Sequence, residues 1–500
     1  MKGVRRRRRL DISNQGAFGA DGRGALRMKA RWLLATCAAL LVAGCDLAPN
    51  YEPPTVALSS QFKEAPAPGE TALEATGLWW RSFNDQTLDD LEAQVEAANP
   101  DLAAALAAND QARAFAAAAQ SGLYPEVDAL GTVTTNKQSA NRPLRSKNQP
   151  TYYGANQIDA QVTSYEIDFW GRVRDLIKAA NADAAASADA LAQARLELHA
   201  ELASAYIRLR GLDAEAKLLS DTIANYRSAL QLTRSRLAAQ ISPPLDVERA
   251  ETQLDAVEAQ ASDLEAQRDA LEDAIAALVG KSAASFSIVR AARPIAYPKR
   301  PRAVPSDVLR RRPDVAESER LAAAASEGIG VARAALYPKF TLSLLGGTQD
   351  TGFNLLSLTN SLDSIGPTVT LPVFDWGLRQ AQLEAAKAAY AEAAARYRAA
   401  ILRAVKEVED DLSALRWLAE AGRETNAAAA AARTAAEMSM TLYRDGAASY
   451  LDVVTAQNAA LDAERAAIAL RTRQLDANVS LMLALGGGWT VETSESDEPR

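Results

Sequence analysis

The residues able to do acid–base or nucleophilic chemistry near neutral pH are few: one histidine, His199, and two cysteines, Cys37 and Cys45. Imidazole and thiolate are the usual bases, nucleophiles and soft-metal ligands in that range. One histidine and two cysteines argue against a Cys/His metal site, a thiol relay and a histidine-based triad. His199 also falls in the middle of a long helical pattern. No catalytic residue, metal ligand or cofactor site is therefore assigned, and no enzyme activity is expected. A net charge of -8 argues against a nucleic-acid partner. With 48% apolar residues, the 500-residue chain can bury a large core.

The two cysteines bear on targeting instead. Arg5 to Arg9 form a basic run ahead of a polar, glycine-rich stretch. Met28 then begins a second pattern: Lys29 and Arg31, followed by an uncharged run from Trp32 to Gly44. That is a signal-peptide n-region and h-region, too short to span a bilayer, and Met28 is read as the start of translation. The run ends Leu41-Val42-Ala43-Gly44-Cys45, which resembles the lipobox of bacterial lipoproteins. There cleavage precedes the cysteine and its sulfur is acylated. Cys37 would leave with the signal and Cys45 would carry lipid, which rules out a disulfide framework. In enteric bacteria an aspartate at the next position, here Asp46, tends to retain lipoproteins at the inner membrane, so sorting stays open.

The chain reads as two copies of one unit. Asn99-Pro100-Asp101-Leu102 recurs as Arg312-Pro313-Asp314-Val315, and Leu123-Tyr124-Pro125 as Leu336-Tyr337-Pro338, both 213 residues later. Beyond these the offset is 206: Trp170-Gly171 matches Trp376-Gly377, Leu245-Asp246-Val247 matches Leu451-Asp452-Val453, and Gly280 matches Gly486. Landmarks that keep one spacing over such a distance imply duplication. Each unit reads as helix, strand pair, very long helix and shorter return helix. Ahead of the strands, Leu88, Leu91, Val95, Leu102 and Leu106 keep helical steps. From Leu198 to Leu237 apolar residues alternate steps of four and three, the 3.5-residue period of a coiled coil. Two long helices, Arg172 to Gln240 and Leu378 to Arg444, would each be roughly 100 Å long at 1.5 Å per residue.

Between Pro125 and Trp170, and again after Pro338, the period changes to two. Ile158, Ala160 and Val162 alternate with Asp159, Gln161 and Thr163. Phe340, Leu342 and Leu344, and then Val369, Leu371 and Val373, alternate with Thr and Ser in the same way. One face would be apolar and the other polar, as in a barrel wall between lipid and water. Ser139 to Pro150 and Gln349 to Asp363 read as long polar loops. Four strands cannot close a membrane barrel, so the chain must assemble. Two copies would give eight strands filled by side chains, and three would give twelve with a lumen.

The block from Arg311-Arg312-Pro313-Asp314 through Ile329-Gly330-Val331-Ala332 to Tyr337-Pro338 resembles the outer-membrane efflux family, TolC and its relatives. Gly44-Cys45, Ala48-Pro49-Asn50-Tyr51 and Trp79-Trp80 resemble its lipid-bearing, NodT-like branch. Phe374-Asp375-Trp376-Gly377 and Gly446 to Val453 resemble later motifs of the family, so the resemblance spans nearly all of Cys45 to Gly488.

It implies a mainly α fold with a β-barrel part: a homotrimer with a 12-stranded barrel in outer-membrane lipid and a 12-helix periplasmic tunnel. It implies export of drugs or other small molecules, a periplasmic adaptor protein at the helical tips, and an inner-membrane pump of the resistance-nodulation-division type. The tip turns map to Gln240–Asp246 and Asp445–Asp452. Asp246 and Asp452 match the pore-facing carboxylates of relatives, a periplasmic gate, although each could equally cap its return helix. Gln240, Ser242, Asp445, Gly446 and Ser449 match the adaptor-contact tips. Pro243-Pro244 departs from the pattern of the second tip.

The domain plan is then 1–44 leader and lipoprotein signal, 45–84 lipidated tether, 85–280 first repeat with strands in 125–170, and 281–304 linker. It continues with 305–488, the second repeat with strands in 338–376, and 489–500, a polar tail read as disordered. A type I protein-secretion duct and a structural coiled-coil lipoprotein remain alternatives.

Overall fold

The computed structural model describes residues 46–64, 78–142, 146, 148–291, 293–298, 311–487 and 489. Cys45, the leader, residues 65–77 of the expected tether, residues 292 and 299–304 of the expected linker, and all of the expected tail except Trp489 lie outside them. The elements in order are α1 (Gln86–Ala98), α2 (Pro100–Ser121), β1 (Asp128–Lys137), β2 (Tyr152–Ile167), α3 (Arg172–Ala238) and α4 (Pro244–Leu278). They are followed by α5 (Pro313–Ala334), β3 (Lys339–Asp350), β4 (Ser361–Thr370), α6 (Leu378–Arg444) and α7 (Tyr450–Ala484). Both long helices have 67 residues and both return helices 35. Among the described residues no helix is long and apolar enough to cross a membrane.

Two compact units emerge. One carries the four strands within Tyr124–Asp175 and Gly330–Arg379, together with the stretch ending at Ala48; the other is helical and begins at Pro49.

In the helical unit the 3.5-residue stripe is the buried seam. Leu202, Leu209 and Leu219 are fully buried, and Tyr226, Leu230 and Thr233 nearly so. Small residues let the axes approach: a methyl on Gly211 would strike the hydroxyl of Thr472, and one on Gly422 the amide of Gln474. At mid-length Asp213 accepts from Arg210 at 2.8 Å and Arg268 at 2.9 Å, and the two guanidiniums donate to the carbonyls of Val289 and Ile288. That buried network fixes the strap after α4. A short 3-10 turn, Trp79–Phe83, buries Trp79, Trp80 and Phe83 beside α1. Leu88, Leu91, Val95 and Leu102 are buried, but Leu106 is half exposed. Helix α2 turns Leu102, Asn109 and Ala116 inward instead. It is so rich in alanine that its sequence does not select one face.

The sheet unit is a single antiparallel sheet in the order β1-β2-β3-β4. Its two outer edges, on β1 and β4, have no partner among the described residues. A bulge in β2 between Val162 and Tyr165 shifts the register against β3 by one residue. Two strand limits differ from expectation. Strand β4 ends at Thr370, leaving Leu371 and Val373 outside it, and β3 runs to Asp350, so the second loop is shorter than Gln349 to Asp363.

Candidate functional site: the amphipathic sheet and the helical tips

Register fixes the two faces of the sheet, because directly paired residues share a face and neighbours in a strand alternate. Ala129 pairs with Ala160, which pairs with Gly346; Val162 pairs with Leu344, which pairs with Ile365; Phe340 pairs with Val369. The apolar sets of β2, β3 and β4 therefore lie on one face. Val133, Ile158, Ile365 and Val369 on it are 55–71% exposed. The opposite face carries Thr132, Gln157, Asp159, Gln161, Thr341, Ser343 and Thr368, with Leu130, Leu345 and Leu362 as exceptions. Asp159 is buried there, accepting from Gln157 Nε2 at 3.0 Å. It packs against Gly347, where a methyl would overlap it. Apolar residues left this exposed on one face are the reverse of a water-soluble hairpin.

Where the strands meet the helices, the first-repeat Trp170 lies on the second-repeat Tyr337, ring centroids 4.8 Å apart, and donates from Nε1 to the carbonyl of Pro338 at 2.8 Å. Beside it Glu166 accepts from both ends of the Arg172 guanidinium, at 2.7 and 2.6 Å, and faces Lys339 at 3.1 Å. The segment that follows Cys45 is held in the same unit: Arg333 donates to the carbonyl of Leu47 at 2.6 Å. Gly330 leaves room for Ala48, whose Cβ would lie 2.8 Å from an added methyl. Neither role of Arg333 or Gly330 was visible in the sequence.

The tips separate the expected residues into two groups. Gln240, Asp445, Gly446, Ser449 and Asp452 are exposed, whereas Ser242 and Asp246 are buried. The turns form at Gln240 and Gly446, both in the left-handed region with φ of 58° and 80°. Asp452 takes part in a capping box: Ser449 donates to its carboxylate from N at 3.0 Å and from Oγ at 2.7 Å, and the Asp452 amide donates to Ser449 Oγ. Those bonds hold the Asp452 carboxyl below the usual carboxylate range. Asp246 makes no such cap; α4 starts on Pro243-Pro244 without a side-chain bond, and Arg249 lies 3.8 Å from Asp246.

Three residues that periodicity did not single out join the two turns. Arg236 donates to the carbonyls of Tyr443 at 2.8 Å and Arg444 at 3.3 Å, and its guanidinium covers the Tyr443 ring at 4.6 Å. Tyr443 in turn packs on Tyr450 at 5.2 Å, and Ser242 Oγ is 3.3 Å from the Tyr443 hydroxyl. Burial first, and Tyr443 second, push the Tyr450 phenol up to about 12.

His199 is 5% exposed, with Nδ1 2.6 Å from Glu92 Oε2 and its ring stacked on Trp80 at 4.5 Å. It is an interior contact of the helical unit.

Comparison with known proteins places this geometry. The family model for outer membrane efflux proteins matches residues 91–281 and 304–487. The probable efflux pump outer membrane protein TtgC of Pseudomonas putida is 30% identical over 471 residues, 92% of this chain and 96% of that protein. Nodulation protein T of Rhizobium leguminosarum bv. trifolii is 28% identical over 462 residues, covering 90% and 96%. The solved outer-membrane channel OprN superposes with a TM-score of 0.83 at 28% identity, covering 89% of this chain and all of that one.

Proposed function

The chain belongs to the outer membrane efflux protein family and is an outer-membrane channel component of an efflux system; on that premise we propose that three copies join their sheets into one 12-stranded barrel and their helices into a periplasmic tunnel. One observation carries the reading: a four-stranded sheet with exposed apolar residues on one face, polar residues on the other, and no partner at either edge among the described residues. An unpaired backbone group in hydrocarbon costs several kcal/mol, so such a sheet is stable in a bilayer only when neighbours seal it. Twelve strands leave a water-filled lumen, which eight do not.

The rest of the duct follows from that assembly. Lipid on Cys45 adds membrane affinity, each buried methylene contributing about 0.8 kcal/mol. It is supported by Leu47 and Ala48 being held in the sheet-bearing unit. The exposed tip residues Gln240, Asp445, Gly446 and Ser449 offer the docking edge for a periplasmic adaptor, with Ser242 setting the turn behind them. An inner-membrane pump of the resistance-nodulation-division type supplies the energy, and the duct itself performs no catalytic step. Three copies each of Asp246 and Asp452 would place six carboxylates at the closed end and favour cations there.

The test is expression in a cell stripped of its own outer-membrane efflux channels, scored against a panel of drugs, dyes and metals. Restored resistance to part of the panel is expected. Unchanged susceptibility to every compound, with the protein present in the outer membrane, would remove the reading.

A further inference from the structure

The two hairpin loops of the duplicated unit join the strand ends opposite those that lead into helices, and they have diverged. Between β1 and β2 no large apolar side chain is exposed among the described loop residues, which include Gln138, Ser139, Asn141, Arg142 and Gln149. Between β3 and β4 the loop carries Phe353, Leu356 and Leu358, which are 77, 99 and 90% exposed. Its polar groups are used within it. Asp350 Oδ2 accepts from the amides of Gly352 and Asn354, each at 3.0 Å. Asn360 Nδ2 donates to the Asn354 carbonyl at 2.8 Å, and Ser361 Oγ to that of Leu358 at 2.8 Å. Three large apolar side chains are thus presented by a loop that satisfies much of its own backbone.

Register shows over which face this loop bends. Asn156 pairs with Val133 on one side and Asp350 on the other, and like Ile158 it belongs to the apolar face. Yet Asn156 is only 4% exposed, and its Nδ2 donates to the Gly352 carbonyl. A methyl on Gly154, again on that face, would strike the carbonyl of Thr351. Two positions of one face are covered by Thr351 and Gly352. The loop therefore leaves the sheet across its apolar face, not across the polar one assigned to the lumen.

The crossing falls at the limit of the apolar band. From Phe340 to Asp350 the strand rises roughly 25 Å, at about 3.3 Å per residue and a tilt of about 40°, which is the height of such a band in outer-membrane barrels. Beyond that level the same face carries Lys137 and Tyr152, paired across β1 and β2 and both exposed. The Lys137 ammonium lies 5.1 Å from the centroid of the Tyr152 ring. A cation on an aromatic ring, just past an apolar band, is the composition of a lipid–water boundary: the ring sits among headgroups and the cation reaches their phosphates.

We infer that the β3–β4 loop is a membrane anchor at the outer end of the sheet, with Phe353, Leu356 and Leu358 seated among the acyl chains of the lipid around it. The inference rests on the sheet being a membrane wall, and its test separates the two. The full-length protein carries Leu356→Cys, Ser139→Cys or Ile158→Cys, each labelled with the fluorophore NBD, in nanodiscs of phosphatidylethanolamine and phosphatidylglycerol. The chain without an added cysteine is the control for Cys45. Quenching by lipid with a nitroxide near the top of its acyl chain should be roughly threefold or more stronger at Leu356 than at Ser139, and quenching by aqueous iodide correspondingly weaker. Adding Phe353→Ser and Leu358→Ser to Leu356→Cys should remove most of that difference. Equal iodide quenching at Leu356 and Ser139 would put the loop in water and overturn the anchor. Shielding of Leu356 from iodide and nitroxide alike would overturn it too, since the loop would then be packed on protein, over the mouth or on another copy. Absence of nitroxide quenching at Ile158 would instead remove the membrane wall on which the anchor rests.

Discussion

Asn99 reaches from the break between α1 and α2 to the end of α4, its Nδ2 donating to the carbonyl of Leu278 at 2.8 Å while its Oδ1 accepts from the Leu102 amide at 2.8 Å. The second repeat keeps the tie with a different side chain: Arg312 donates to the carbonyl of Ala484 and holds Asp314 and Glu407. In both copies a left-handed glycine, Gly280 or Gly486, lies under the residue just before that break, where an added methyl would strike the carbonyl of Ala98 or Arg311. Duplication has conserved the joint and changed the atoms that make it.

Asn99→Ala should therefore lose a helix cap and strand the Leu278 carbonyl, at a combined cost of about 2–4 kcal/mol. Gly280→Ala should be at least as damaging, since both its φ of 69° and its surroundings refuse a side chain. Urea unfolding of the detergent-solubilised protein measures both. A loss under about 0.5 kcal/mol for either would show that the joint is not rigid.

Glu92 gives the helical unit a defined pH dependence. It is fully buried, and burial, opposed by the hydrogen bond with His199, raises its carboxyl to about 7. A raised folded-state value means that stability is complete below the unfolded value near 4.5 and is lost as pH climbs to about 7. Glu92→Gln stays neutral throughout, so relative to the parent it should gain on the order of 2–3 kcal/mol between pH 4.5 and 8. Unfolding midpoints at three pH values test this; parallel profiles for parent and variant would contradict it.

Much of this was legible in the sequence because helices and strands advertise their periods. The stripe from Leu198 to Leu237 names the seam of α3, Pro100 and Pro313 mark helix starts, and the alternation at Ile158 names the outward face. What was not legible depends on residues far apart in the chain. Arg236 meets Tyr443 across 207 positions of the chain, and nothing in the local pattern of either helix signals it. Leu371 and Val373 alternate like strand residues but lie outside β4: the ladder ends at Lys339 and Thr370, and Pro338, which would face Leu371, and Pro372 have no N–H to donate. The two carboxylates of the expected gate looked alike in sequence, yet Asp452 caps its helix and Asp246 does not.

That difference makes the gate separable from the cap. Asp452→Asn keeps an acceptor for Ser449 but removes charge, and combined with Asp246→Asn it should reduce the cation preference of the channel in a planar bilayer. Ser449→Ala should cost about 1 kcal/mol of helix stability and leave selectivity alone. Unaltered selectivity in the double Asn variant would take the carboxylates out of the constriction.

At the tips, Arg236→Ala frees the carbonyls of Tyr443 and Arg444 and uncovers the Tyr443 ring. Arg236→Lys keeps the charge without the planar fork that serves two acceptors. Both should form trimers normally and restore resistance less well than the parent, Ala the worse, if the adaptor reads a rigid tip. Equal resistance with both variants would place adaptor recognition elsewhere.

The central claim is that one face of the sheet meets lipid and the other lines water. Single cysteines at consecutive positions of β2, from Gln157 to Val162, placed in the protein reconstituted in liposomes and exposed to a charged thiol reagent, test it directly. Modification should alternate, fast at Gln157, Asp159 and Gln161 and slow at Ile158, Ala160 and Val162. Uniform labelling, or the opposite alternation, would contradict a membrane-spanning wall.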